Sequence, residues 1–232
     1  MARVTEVAPG IYQVSVLRAG VTVLAEGGRV VLLDAGLRTS AEAVLAFLAS
    51  KGFKPDSVSH ILITHYHPDH IGGLARLQKA TGARVGAHPI EAPAIAGDRP
   101  LPNPAANRPL QGVFALAAPL LRPRPVAVDL LLEEGTRLDV MGGLEVVHTP
   151  GHTPGSLSFF LPARKMLFAG DALQRWWGRL GLPSGIFTQD MEQAEASIRR
   201  LAQMDIEALC FSHFAPVMKG AKKELEELAD RL

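Results

Sequence analysis

Four side chains able to bind a metal ion fall within six residues: His65, His67, Asp69 and His70, in the string Thr64-His65-Tyr66-His67-Pro68-Asp69-His70-Ile71-Gly72-Gly73. Three imidazoles and a carboxylate are borderline to hard donors, a set that favours zinc, iron or manganese over calcium. Four such groups exceed the three protein ligands typical of one catalytic zinc, so the surplus points to two metals or to a supporting role for one member. The spacing of His65 and His67 is not the i, i+4 spacing that stacks two ligands on a helix face. It suits a loop leaving the C-terminal end of a strand, and Pro68 is expected to bar a helix across that loop. Three further candidates each follow an apolar stretch: His152 in His148-Thr149-Pro150-Gly151-His152-Thr153-Pro154-Gly155, Asp171 in Phe168-Ala169-Gly170-Asp171, and His213 in Phe211-Ser212-His213. If the strand ends converge, so do these side chains.

The elements that must position them are legible as strands and helices in alternation. Gly10 to Leu17, Val21 to Glu26 and Arg29 to Asp34 read as strands, the last two joined by the hairpin signal Glu26-Gly27-Gly28-Arg29. A helix is expected from Thr39 or Ser40 to about Ser50, with Ala41, Val44, Leu45 and Leu48 on one face. His60 to Thr64 reads as a buried strand, Ile71 to Ala80 as a helix closed by Gly82, and Ala83 to Ala87 as another short strand. Strand character returns at Val128 to Leu132 and Leu144 to His148, and Ser156 to Leu161 with Lys165 to Phe168 reads as a hairpin. A helix over Asp190 to Met204, a strand at Ala208 to Phe211 and a charged helix from Ala221 complete the chain. Residues 98–125 differ: prolines at 100, 102, 104, 109, 119, 123 and 125 mark an irregular excursion with one helical piece at Gln111 to Ala118. A connection of this length is usually functional or a linker. The expectation is one domain over 1–232 with 98–125 as an insertion that shapes the mouth of a pocket, the alternative being that it packs against the parent sandwich or a second subunit.

With 24 Lys plus Arg against 23 Asp plus Glu, the net charge is +1. A balanced chain has no general field for nucleic acid or an anionic membrane. The longest apolar run, near Val113 to Leu121, is broken by Pro119 and falls short of the roughly 20 residues a bilayer span needs. The N-terminus lacks the apolar stretch of a secretory signal. The expectations are a cytoplasmic protein, monomer or homodimer, acting on a small molecule. The single cysteine, Cys210, lies in an apolar strand and reads as a small buried hydrophobe rather than a nucleophile. His60 and His148 read as surface or satisfied core histidines, and Tyr66 as packing. Arg175, Trp176 and Trp177 follow Asp171 closely and divide evenly between lining a substrate pocket and packing a loop.

The metal-ligand string resembles the signature of the metallo-β-lactamase-fold hydrolase superfamily, and the later Thr-Pro-Gly-His-Thr-Pro-Gly, Ala-Gly-Asp and strand-end His segments match that family's remaining motifs in order. Asp34, after an apolar strand, matches its first. The resemblance covers nearly the whole chain and implies an α/β (α+β) fold, a four-layer αββα sandwich with the site at one edge of two sheets. It implies that His65, His67 and His152 bind one metal, that Asp69, His70 and His213 bind a second, that Asp171 bridges both, and that Asp34 orients the site loop. Zinc is the first expectation for the two divalent ions, with iron and manganese admitted by the same donors. True β-lactamases of this fold usually lack the bridging aspartate, so Asp171 points away from that activity. The His152 and Asp171 segments look closer to the glyoxalase II branch, which hydrolyses thioesters. That branch carries a helical C-terminal part that binds glutathione; here only residues 214–232 follow His213, so glutathione specificity is not expected.

The leading expectation is therefore a dinuclear hydrolase acting on a small ester, thioester or lactone. A hydroxide bridging the two ions would attack the substrate, with Asp69 or a metal-bound water as the proton donor. The alternatives carried by the same fold are an iron-dependent redox enzyme resembling the persulfide dioxygenases, and a phosphodiesterase.

Overall fold

The structure is a computed structural model that describes residues 2–106, 111–112 and 122–232. Its chain gathers into two compact units, Met1–Pro102 with Ala117–Leu132, and Asn103–Leu116 with Glu133–Leu232. The expected helical piece at Gln111 to Ala118 and the apolar run Val113 to Leu121 lie almost wholly outside the described residues.

The first unit is a seven-stranded sheet in chain order: β1 (Arg3–Ala8), β2 (Ile11–Val16), β3 (Ala19–Glu26), β4 (Arg29–Leu33), β5 (Val58–Leu62), β6 (Arg84–Ala87) and β7 (Leu130–Leu131). Strands β1 to β4 form an antiparallel meander, and β4 to β7 run parallel. The parallel connections carry helices, as crossovers require: α1 (Ser40–Ser50) between β4 and β5, then α2 (Pro68–Ile71) and α3 (Leu74–Thr81) before β6, and α4 (Ala92–Ala96) after it. Alternate residues of the strands, Val21 and Val23, Val30 and Leu32, project to one face by the two-residue period of a strand. They form one core with Val44, Phe47 and Leu48 of α1 and Leu74 and Leu77 of α3. Each such side chain stabilises the unit by about 1.5–3 kcal/mol relative to exposure.

One expectation about the metal-ligand string is corrected here. Pro68 does not keep the segment in a loop; it begins a helical turn, α2, with His67 in the extended N-cap position. Proline suits the first helical position, where its missing N–H would have no partner in any case and its fixed φ already matches the helix. Asp69 and His70 therefore sit on a helical turn, and the helix expected from Ile71 is two pieces broken at Gly72 and Gly73.

The second unit is a five-stranded sheet ordered β14-β11-β10-β9-β8, with a separate hairpin. Its strands are β8 (Arg137–Leu138), β9 (Leu144–His148), β10 (Leu157–Leu161), β11 (Met166–Phe168), the hairpin β12 (Gln174–Trp176) and β13 (Arg179–Gly181), and β14 (Ala208–Cys210). Neighbours are antiparallel except β11 and β14, which run parallel with Phe168 opposite Cys210. Helix α5 (Met191–Leu201) starts on Asp190, whose carboxylate accepts the Gln193 N–H at 3.0 Å while the Gln193 side chain donates back at 2.7 Å. The Asp190 carboxylate thus satisfies a free N–H of the first turn as an N-cap does, and the Gln193 amide steadies that carboxylate. Ile198 and Leu201 of α5, and Leu225 and Leu228 of α6 (Ala221–Ala229), pack with Leu167 and Leu209 of the sheet. Strand β1 and the hairpin β12–β13 were not expected from the sequence: β1 is half exposed and half polar with no clean alternation, and the hairpin strands are three residues each. Among the described residues, no helix is long and apolar enough to cross a membrane.

Candidate metal centre

In the first unit the ligand string is placed by strand register. Leu33 pairs with Leu62 across the parallel strands β4 and β5, and the Asp34 N–H continues the ladder to the Leu62 carbonyl at 2.8 Å. Asp34, directly after Leu33, and Thr64, two residues after Leu62, therefore meet. Asp34 adopts φ 64°, a left-handed conformation that aspartate tolerates better than most residues. Its Oδ1 accepts the Thr64 N–H at 2.8 Å, both its oxygens lie 2.9 Å from the Thr64 hydroxyl, and its Oδ2 accepts the His70 Nδ1–H at 2.8 Å. A carboxylate only accepts, so the Thr64 hydroxyl spends its proton on Asp34. Its oxygen then accepts from His65 Nδ1 at 3.0 Å. The tautomers follow from this network: His65 and His70 are each tied through Nδ1 and present Nε2.

The three imidazoles are buried, 1%, 4% and 1% exposed for His65, His67 and His70, with ring centroids 4.6 Å apart for His65 and His67 and 3.9 Å for His65 and His70. Asp69, on the exposed side of α2, brings Oδ2 to 3.9 Å from His70 Nε2. The approach that makes this compact depends on Gly73: a Cβ there would collide with the Ala35 carbonyl oxygen. Ala35 in turn donates its N–H to the His70 carbonyl at 2.7 Å, and Gly73 donates to Gly36. Tyr66 packs into the core as expected, and its N–H donates to the carboxylate of Glu91, 1% exposed, at 2.9 Å. Glu91 thus holds the chain between His65 and His67.

In the second unit, β9 ends at His148, and the following turn carries His152. That turn is pinned at Gly151 (φ 133°), where a Cβ would collide with the backbone of Ala194 in α5. The Gly151 and His152 carbonyls accept from Asp190 and Gln189. His152 Nδ1 meets the Thr188 hydroxyl at 3.3 Å, and its Nε2 lies 3.7 Å from Asp171 Oδ2. The same carboxylate oxygen lies 3.2 Å from His213 Nε2. Asp171, reached two residues after Ala169 continues the ladder from β11 to the Cys210 carbonyl, therefore sits between two imidazoles.

Among the described residues, the side chains whose ligand atoms fall into groups able to hold a metal ion are His65, His67, Asp69 and His70 in the first unit and His152, Asp171 and His213 in the second. These are the seven singled out in the sequence. Sequence reasoning passed over Thr64, Glu91 and Thr188, which orient ligand-bearing segments; Glu91 is 25 residues from the residue it holds and carries no local signal. Of the suggested pocket residues, Arg175 is engaged, its Nη2 donating to the Gly178 carbonyl at 3.2 Å and lying 3.6 Å from Glu224, while Trp176 and Trp177 are exposed. His148 is structural, its Nε2 donating to the Pro154 carbonyl. Cys210 is buried, and desolvation pushes its thiol up to about 12.

The donor set fits a divalent cation. A metal takes the unprotonated nitrogen of an imidazole whose other nitrogen donates elsewhere, and hydroxyl or carboxylate partners of the Asp34 and Thr64 kind are what orient such rings.

The family model for the metallo-beta-lactamase superfamily matches residues 16–213. The Bacillus subtilis (strain 168) protein named probable metallo-hydrolase YflN is 31% identical over 248 residues, covering 98% of this chain and 92% of that protein. The hydroxyacylglutathione hydrolase of Pseudomonas aeruginosa (strain LESB58) is 36% identical over 148 residues, a match that takes in 62% of this chain but only 43% of that protein. Among solved structures, BJP-1, a subclass B3 metallo-beta-lactamase of Bradyrhizobium japonicum, is similar with a TM-score of 0.71 at 26% identity, covering 99% of this chain and 90% of that one.

Proposed function

Because the chain belongs to the metallo-β-lactamase superfamily and shares its fold, we propose that it is a dinuclear metal-dependent hydrolase of a small ester, thioester or lactone. His65, His67 and His152 would hold one ion, Asp69, His70 and His213 the other, and Asp171 both. Bound divalent ions supply Lewis acidity and lower the pKa of water toward neutrality, so no serine or cysteine nucleophile is needed. Zinc is the first choice, since imidazole-rich sets with one or two carboxylates suit it.

The observation that carries the proposal is the tethering of the ligands by the chain's own groups. Asp34 holds His70, Thr64 holds His65, Thr188 holds His152, and Asp171 stands between His152 and His213. Burying three imidazoles side by side is costly unless their nitrogens are satisfied, and a cation satisfies several at once. Asp171 supports the bridging role because one oxygen already faces two ligand nitrogens. Asp69, the most exposed of the seven side chains, is the one placed to exchange a proton with solvent.

The likeness to a hydroxyacylglutathione hydrolase favours an acyl substrate with a good leaving group over a β-lactam. We also assign residues 1–232 to one hydrolase domain, with 98–125 as an insertion at the pocket mouth. In support, the Ala106 N–H donates to the Ile186 carbonyl at 2.7 Å, two residues before the Thr188 that holds His152. A panel of phenyl esters, acyl thioesters, lactones, a phosphodiester and a β-lactam tests the assignment, run with zinc-loaded and metal-depleted protein. The expected result is metal-dependent turnover of esters, thioesters or lactones at least tenfold above the other classes. Preferential turnover of the β-lactam or phosphodiester, or turnover independent of metal, would overturn it.

A further inference from the structure

We propose that the β12–β13 hairpin is a preorganised aromatic platform that takes the hydrophobic acyl or aryl part of the substrate, so that medium-chain or aromatic acyl groups are preferred over acetyl. The proposal rests on the hydrolase reading above and names the substrate class within it.

The chain has two tryptophans, and both stand on this hairpin. Trp176 is 50% exposed and Trp177 97% exposed. Large exposed aromatic side chains displayed together mark binding surfaces more often than they mark folding. Packing does not explain the pair, because Trp177 at the tip contributes almost nothing to a core. The hairpin is nevertheless held in shape. The Trp176 indole N–H donates to the side-chain oxygen of Gln174 at 2.9 Å, and Gln174 is itself buried. The Trp176 ring meets Phe214 edge-on at 5.3 Å, and Phe214 meets Phe211 at 6.2 Å. Arg175 ties the strand to the Gly178 carbonyl across the turn and faces Glu224 of α6.

Both roots of this aromatic row adjoin, along the chain, candidate metal ligands of the same unit. Strand β12 begins three residues after Asp171, and Phe214 directly follows His213, whose Nε2 lies 3.2 Å from Asp171. Phe211, Phe214, Trp176 and Trp177 form a chain of ring contacts that ends in solvent at Trp177, and such a row offers apolar area at low entropic cost, since tryptophan has only two side-chain torsions to fix. Its natural occupant is the hydrophobic tail of a molecule whose hydrolysable head is at the metals.

Because no other tryptophan is present, indole emission reports on the platform alone. Metal-free protein is titrated with octanamide and with acetamide. The expected result is a saturable blue shift with octanamide, none with acetamide, and loss of the octanamide response in Trp177→Ala. With the zinc-loaded enzyme, the ratio of kcat/KM for octanoyl over acetyl phenyl esters is expected to fall about tenfold in Trp177→Ala, and further in Trp176→Ala/Trp177→Ala, mainly through KM. An unshifted emission with octanamide, or equal losses for both esters, overturns the platform. So does concentration-dependent dimerisation in sedimentation that Trp177→Ala abolishes without any octanamide response, which assigns the rings to a second copy of the chain. Absence of all ester turnover counts against the hydrolase reading, and the fluorescence titration still decides the platform.

Discussion

Replacing Asp34 with alanine removes the acceptor shared by three donors, the Thr64 N–H, the Thr64 hydroxyl and His70 Nδ1–H, all at 2.8–2.9 Å and all buried. Hydrogen bonds to a charged group each contribute about 1.5–3 kcal/mol, but three on one carboxylate do not add in full. Alanine must also hold φ 64°, which adds about 1 kcal/mol. Together the loss is expected to be about 3–5 kcal/mol. Asp34→Asn keeps the left-handed turn and one acceptor, and should lose about 1–2 kcal/mol. Urea unfolding of the metal-free variants in the presence of a chelator measures both. Freed from Asp34, the His70 ring and, through Thr64, the His65 ring lose their orientation. Zinc affinity in a competition titration should therefore fall about 10–100-fold. A metal-free Asp34→Ala protein within 1 kcal/mol of wild type, with zinc affinity unchanged, would refute the reasoning that this network positions the ligands.

His67→Ala should reduce metal-dependent turnover at least about 100-fold while leaving the circular dichroism spectrum intact, because the ligand is lost but the α2 turn begins on Pro68. Cys210, buried and with its thiol pushed up to about 12, should resist iodoacetamide in the native protein at pH 8 and react fully in denaturant; rapid native labelling would contradict its burial. His60 titrates below the ordinary value of 6.5, first because burial penalises the imidazolium and then because Arg84 and Arg29 repel it. Above 6.5 both folded and unfolded chains carry it neutral; as pH falls below 6.5 the unfolded chain binds the proton first and stability declines through the lowered folded value. His60→Gln should flatten that part of the stability curve, and an unaltered slope between pH 6.5 and 4 would show that His60 is not perturbed.

The ligand residues were legible because their chemistry is concentrated. His65, His67, Asp69 and His70 lie together in the chain, and His152, Asp171 and His213 each follow a strand whose apolar run is plain. Hairpins such as β10–β11 and the amphipathic helix α5 were legible for the same reason, since period and turn residues are local signals. What escaped was set by long-range packing or by competing local rules. Pro68 was read as a barrier to helix when its position at the start of α2 made it an initiator. Glu91 and Thr188 act on residues 25 and 36 positions away, a relation that only the folded register creates. The hairpin β12–β13 has strands too short for alternation to show; it is anchored by one buried core residue, Leu180, and by the Arg175 bond across its turn, neither of which leaves a periodic signal.

The measurement that bears most directly on the account is the number of ions bound per chain. Protein prepared without added metal, saturated with zinc and freed of excess by gel filtration, is analysed by native mass spectrometry beside Asp171→Ala. Seven candidate ligands predict two zinc ions per chain in the wild type and loss of at least one in the variant. A wild type that holds no more than one ion after saturation would contradict the dinuclear centre on which the proposed hydrolysis depends.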